Sequence, residues 1–114
     1  HRFRDPALLD RALTHPGAAP GDPGRNNQRL EFLGDRVLGL AIAEMLHAAF
    51  PEATEGELSH RLSGLVRRET CATIGAAWDL GPHLLRASGG RVGPRNRAIV
   101  ADATEAVIGA VFLD

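Results

Sequence analysis

Two pairs of acidic residues set into apolar sequence are the part of this chain best suited to chemistry. Glu31 and Asp35 lie in the run Gln-Arg-Leu-Glu-Phe-Leu-Gly-Asp, residues 28–35; Asp102 and Glu105 lie in Ala-Asp-Ala-Thr-Glu-Ala, residues 101–106. Helical residues three or four apart share a face, so each pair would set two like charges side by side. No Arg stands three or four positions from any of these carboxylates, so each pair costs its helix roughly a few tenths of a kcal/mol. Leu30, Phe32, Leu33, Val37 and Leu38 surround the first pair, and Ile99, Val100, Val107 and Ile108 the second. Carboxylates that close to a core need a cation to stay ionised. Oxygen ligands from two helices suit Mg²⁺ or Mn²⁺, whereas zinc usually takes His or Cys. Such an ion can activate water against a phosphodiester, and a second can stabilise the leaving oxygen. The plain alternative is two solvated acidic faces with no ion. No Ser-His-Asp or Cys-His arrangement competes, and His60 and His83 read as surface or core residues.

These carboxylates need helices to carry them. Asp5-Pro6 reads as an N-cap with Pro at the first helical position, opening a short amphipathic helix through Leu13. Pro16 to Gly24 is a Gly/Pro/Ala-rich loop, expected to be mobile. Asn26 or Asn27 then caps a long helix to about Ala49, stopped by Phe50-Pro51. That helix is apolar on more than one face, which predicts a central, well-buried element. Thr54 and Glu57 form a capping box for a helix ending near Val66 or Arg68. Further helices are expected over Glu69–Ala77 and from Arg97 to the chain end, with a helical turn at Pro82–Arg86 and a loop at Ser88–Pro94. No strand is expected, so the fold class is all-α. Gly34, Gly39 and Gly109 sit inside helices at about 1 kcal/mol each against Ala. Close approach of two helix backbones would explain them and would bring the acidic pairs together.

The 114 residues suffice for one domain with a modest core. No apolar run reaches membrane-spanning length and no signal-peptide pattern opens the chain. With one cysteine, Cys71, there is no intramolecular disulfide or cysteine-rich zinc site, and a small core residue is its plain reading. A cytoplasmic protein is the default. The net charge of −1 does not announce a nucleic-acid binder. Its distribution says more: all thirteen basic residues are Arg, and Arg61, Arg67, Arg68, Arg86, Arg91, Arg95 and Arg97 make the middle third basic. Arg suits phosphate because its planar fork bonds two oxygens at once.

The run Asn-Asn-Gln-Arg-Leu-Glu-Phe-Leu-Gly-Asp-Arg-Val-Leu resembles the signature of the ribonuclease III family of double-stranded-RNA endonucleases. Asp5 to Leu9 and Ala12 to His15 look like that family's opening helix. Glu55-Gly56-Glu57-Leu58-Ser59 and Leu65-Val66-Arg67 look like its middle segment, and Ile99 to Ala110 like its second catalytic motif. The resemblance covers nearly the whole chain. It implies a ribonuclease III-type helical endonuclease domain over residues 1–114, working as a symmetric homodimer with a Mg²⁺-dependent acidic site in each subunit (Mn²⁺ is the alternative metal). It further implies cleavage of both strands of an RNA duplex, leaving 5′-phosphate and 3′-hydroxyl ends. Carried over by position, Glu31, Asp35, Asp102 and Glu105 match the metal-binding carboxylates, with Asp35 and Glu105 as catalytic residues and Glu105 the most direct ligand. Phe32 matches an aromatic that packs into the partner subunit; its alternative as a monomer residue is the core.

Two departures stand out. Gln28 occupies a position where many bacterial members have Glu, so its expected place is in the outer shell of the site. The family's further C-terminal helix and double-stranded-RNA-binding domain are not found in these residues, which reads as a catalytic-domain fragment or an enzyme without that module. Two rival functions belong to other classes. One is a non-catalytic binding or dimerisation module keeping the fold, against which the intact carboxylates speak. The other is a metal phosphohydrolase for small phosphates, which the Arg-rich middle and the long motif disfavour.

Overall fold

The computed structural model describes residues 1–87, 92 and 96–114. Among the described residues there are five helices: α1 (Pro6–Ala12), α2 (Gln28–Ala49), α3 (Glu55–Leu65), α4 (Arg68–Ala77) and α5 (Arg97–Leu113). Short 3₁₀ turns cover Pro16–Ala18 and Gly81–His83. Among the described residues there is no strand, only a single parallel bridge between Thr14 and Leu85. The fold is all-α. None of the described helices is long and apolar enough to cross a membrane.

Local chemistry sets the helix ends. The Asp5 side chain accepts the Ala7 N–H at 3.0 Å, with Pro6 in the first turn, and so starts α1. The α2 start differs in detail from a simple cap. Asn27 holds the N-cap position without a side-chain bond, while Asn26 Oδ1 accepts the Gln28 N–H at 3.1 Å. Asn26 Nδ2 donates to the Asp22 carbonyl at 3.1 Å, so the preceding Gly/Pro/Ala-rich loop is stitched to α2 rather than free. Thr54 and Glu57 make the expected reciprocal box at the head of α3. α4 starts one residue early, at Arg68. The turn expected at Pro82–Arg86 is confined to Gly81–His83. The loop assigned to Ser88–Pro94, with Arg91 and Arg95, lies outside the described residues except for Val92.

The buried spine of the domain is α5, not α2. α5 packs against α1, α2 and α4, and Val100, Ala101, Ala103, Thr104, Ala106, Gly109 and Ala110 are buried along it. On α2 only Leu30, Gly34 and Leu46 are buried; Phe32, Leu40 and Met45 are 68%, 74% and 64% exposed. The expectation of a well-buried long helix is thus corrected. Small side chains let helices close on α5 from several sides, whereas α2 packs Leu30 and Leu38 toward α5 and leaves Phe32, Leu40 and Met45 in the open.

Two glycine contacts fix this packing. A Cβ on Gly34 would run into the Glu105 carbonyl oxygen, and one on Gly109 into the Leu30 carbonyl oxygen. Backbone therefore meets backbone where α2 crosses α5. Gly39 has no neighbour within 4 Å of a built Cβ, so close approach within the chain does not explain it. On the other flank, Gly75 of α4 makes room for Thr104, whose hydroxyl reaches the Val100 and Cys71 carbonyls at 2.8 and 3.0 Å. At the far end, the Asp114 carboxylate accepts the Arg4 and Asp5 N–H groups at 3.0 and 2.8 Å, which holds its pKa below the usual carboxylate range.

Candidate active site

The α2–α5 crossing decides where the acids fall. Gly34 touches the backbone of Glu105, so Asp35, its neighbour, and Glu31, one turn earlier, come to the level of Glu105. Glu31, Asp35 and Glu105, with Gln28 and Phe32, line one open depression of about 380 Å³. Asp102 lies one turn back along α5, close enough to raise the pKa of both Glu31 and Glu105 by its charge. The two acidic pairs, far apart in sequence, thus share one place.

Their electrostatics are those of crowded anions. Burial raises the Glu31 pKa first, and the charges of Asp102, Glu105 and Asp35 raise it further. Burial likewise leads for Glu105, followed by the charge of Asp35 and then that of Asp102. Arg68 pulls both back down. Burial pushes the Cys71 thiol up to about 11, and the Glu105 charge adds to this, so it stays an uncharged thiol. The core reading of Cys71 holds: it is 3% exposed, packed with Ala72 and Ala101.

The absence of Arg three or four places along each helix does not leave the acids without cations. Arg68 Nη2 reaches Asp102 Oδ1 at 3.3 Å from the first position of α4. Arg36 Nη1 reaches Asp35 Oδ2 at 2.9 Å, and its guanidinium lies 5.8 Å from the Phe32 ring centre. Arg68 is the residue that sequence reasoning did not place in the site. No spacing rule connects it to Asp102; only the packing of α4 on α5 does. Among the described residues, no three His, Cys, Asp or Glu side chains converge to distances that would hold an ion as they stand.

Phe32 stands out in the open at the rim, so its reading as a core residue of a single chain is overturned. Gln28 is exposed on the same rim. Beyond these two residues lies a larger groove of about 740 Å³, lined by Arg11, Pro23, Arg29, Leu30, Leu33 and Leu113 as well. His60 and His83 are exposed and take no part.

Comparison with known proteins supplies the wider context. Residues 5–114 match the profile of a family described as Ribonuclease-III-like. The chain is 50% identical over its whole length to Ribonuclease 3 of Methylocella silvestris and 51% identical to that of Caulobacter vibrioides. It spans about half the length of these relatives, 48% and 51% respectively. Among solved structures, the nuclease domain of ribonuclease III from Campylobacter jejuni is similar over 99% of this chain and 78% of its own, with TM-score 0.86 and 38% identity. Dicer from Pichia stipitis matches 99% of this chain and 48% of its own, with TM-score 0.76 and 26% identity. A profile match reaching from Asp5 to the last residue, with half of all positions identical in curated relatives, means that the chain belongs to the ribonuclease-III-like family.

Proposed function

We propose that this domain is a Mg²⁺-dependent endonuclease for double-stranded RNA, acting in the cytoplasm as a symmetric homodimer and leaving 5′-phosphate and 3′-hydroxyl ends. Mn²⁺ would serve as the alternative ion. The observation that carries the reading is the meeting of two like-charged helical pairs beside one depression, with Glu31 and Glu105 raised by burial and mutual repulsion. An all-oxygen donor set short of positive charge fits a hard divalent cation. Glu31, Asp35, Asp102 and Glu105 would hold it, their side chains closing inward as it binds. The ion supplies positive charge against the phosphate and a lowered pKa for water.

The chain's own groups have separate tasks. Glu105, pressed by burial and by the charges of Asp35 and Asp102, would be the first to take the ion, with Asp35 opposite it across the helix crossing. When its thiol turns to Glu105, Cys71 favours the ionised form by hydrogen bonding, against the larger upward push of burial and Asp35. Gln28 at the rim offers a donor and an acceptor without adding charge, which suits an outer-shell contact to water or phosphate. Preference for RNA over DNA would follow from contacts to backbone and 2′-hydroxyls, with little reading of base sequence.

Assembly rests on the face that α2 leaves open. Phe32 projects beside an apolar-floored groove, the self-complementary arrangement that an isologous interface uses. Gly39, seven residues on and on the same helix face, gives up helix stability with no neighbour in its own chain. A second copy approaching that face would account for it. The Campylobacter jejuni nuclease domain likewise has a region involved in dimer formation.

Incubation of a long RNA duplex with the protein, in Mg²⁺ and in chelator, tests the activity. Short duplex products only with Mg²⁺, and intact DNA duplex alongside, are expected; cleavage that survives the chelator would refute the metal assignment. Sedimentation at micromolar concentration tests the assembly. Twice the chain mass is expected, falling to the single mass for Phe32→Ala. An unchanged mass in that variant would remove Phe32 from the interface.

A further inference from the structure

The carboxylates outnumber the cations near them, yet one cation from a third helix reaches Asp102. Arg68 bonds Asp102 Oδ1 at 3.3 Å and acts through its charge on Glu31 and Glu105 as well. Arg36 stays with Asp35 on the outer side. We propose that Arg68 is the resident counter-cation of this site, neutralising Asp102 while no divalent ion is bound and giving it up when one arrives. The proposal rests on the metal-binding reading above.

Geometry supports an exchange. Asp102 is largely covered, its side chain 28% exposed, whereas the Arg68 side chain is 62% exposed. The guanidinium therefore reaches in from solvent on a long flexible stem, and it can swing out without moving α4. A divalent ion on the same carboxylate would sit within a few ångströms of the guanidinium, and the two cations would repel. Arg68 thus holds the empty site together and opposes its filling, so its charge sets how tightly the site takes metal.

Calorimetric titration of Mg²⁺ into the wild-type chain, Arg68→Met, Arg68→Gln and Arg68→Lys tests this, with melting curves in chelator alongside. Both neutral variants should bind Mg²⁺ roughly fivefold more tightly, the scale of an ion pair near the surface. They should also melt lower than wild type without metal, because Asp102 and its neighbours lose their cation. Arg68→Lys, which keeps the charge, should stay near wild type in both respects; a role in packing alone would not be rescued this way. Unchanged or weaker Mg²⁺ binding by the neutral variants, with wild type binding normally, overturns the proposal and leaves the metal reading intact. A wild-type chain that takes up no Mg²⁺ at millimolar concentration overturns both.

Discussion

Glu105→Gln should abolish Mg²⁺-dependent cleavage of duplex RNA, by about a thousandfold or more, the scale of several kcal/mol of lost metal assistance. The same substitution should raise the melting temperature of the metal-free protein at neutral pH. The sign follows from the direction of the shift. Burial and the charges of Asp35 and Asp102 raise the Glu105 pKa in the folded state. An acid raised on folding destabilises the fold as pH climbs from its unfolded pKa through its folded one, and the penalty is complete above that. An uncharged amide of nearly the same shape escapes it. Single-turnover cleavage and melting curves in chelator, recorded from pH 4 to 8, provide the check. The stability gap between variant and wild type should widen with rising pH. A variant that cuts at near wild-type rate, or that melts lower at every pH, would refute this account of Glu105.

Gly34→Ala should destabilise the domain by about 2 kcal/mol or more, although Ala is the better helix former by about 1 kcal/mol. The added methyl would occupy the place of the Glu105 carbonyl oxygen and push α2 off α5. Gly64→Ala, also in a helix but with open space around its Cβ, should be neutral or stabilising by up to about 1 kcal/mol. Denaturant unfolding of the two variants gives the comparison. If Gly34→Ala were as stable as Gly64→Ala, the helices would not be in backbone contact. Because the same crossing sets the level of Asp35 against Glu105, Gly34→Ala should also weaken Mg²⁺ binding in whatever fraction remains folded.

Much of this architecture is written in local signals. Asp5-Pro6, the Thr54–Glu57 box and Phe50-Pro51 each act through bonds or steric limits within a few residues, so the helix ends they define were readable. The acidic pairs were readable for the same reason, since spacing alone puts each on one face. What was not readable depends on which helix packs against which. The long apolar α2 looked like the core element, but size and hydrophobicity do not say whether a face meets its own chain or another. α5 owes its central place to Ala, Gly and Thr, residues that signal little by hydropathy and act by letting backbones close. Gly34 and Gly109 were legible as contacts; Gly39 was not distinguishable from them. Arg68 joins the site through the α4–α5 packing, a relation no sequence spacing encodes.

The crossing at Gly34 and Gly109 also sets how the molecule breathes. Amide protons there are enclosed by the facing backbone, so they should exchange with solvent only when the whole domain unfolds. α3 has no buried residue, and it leans on the outer half of α2, where Leu40 and Met45 face outward. Its amides should exchange through small local openings long before those of α5. The molecule therefore divides into a slow-exchanging half that carries the carboxylates and a fast-exchanging arm beside it. Local openings of that arm leave the spacing of the acids as the two glycines set it.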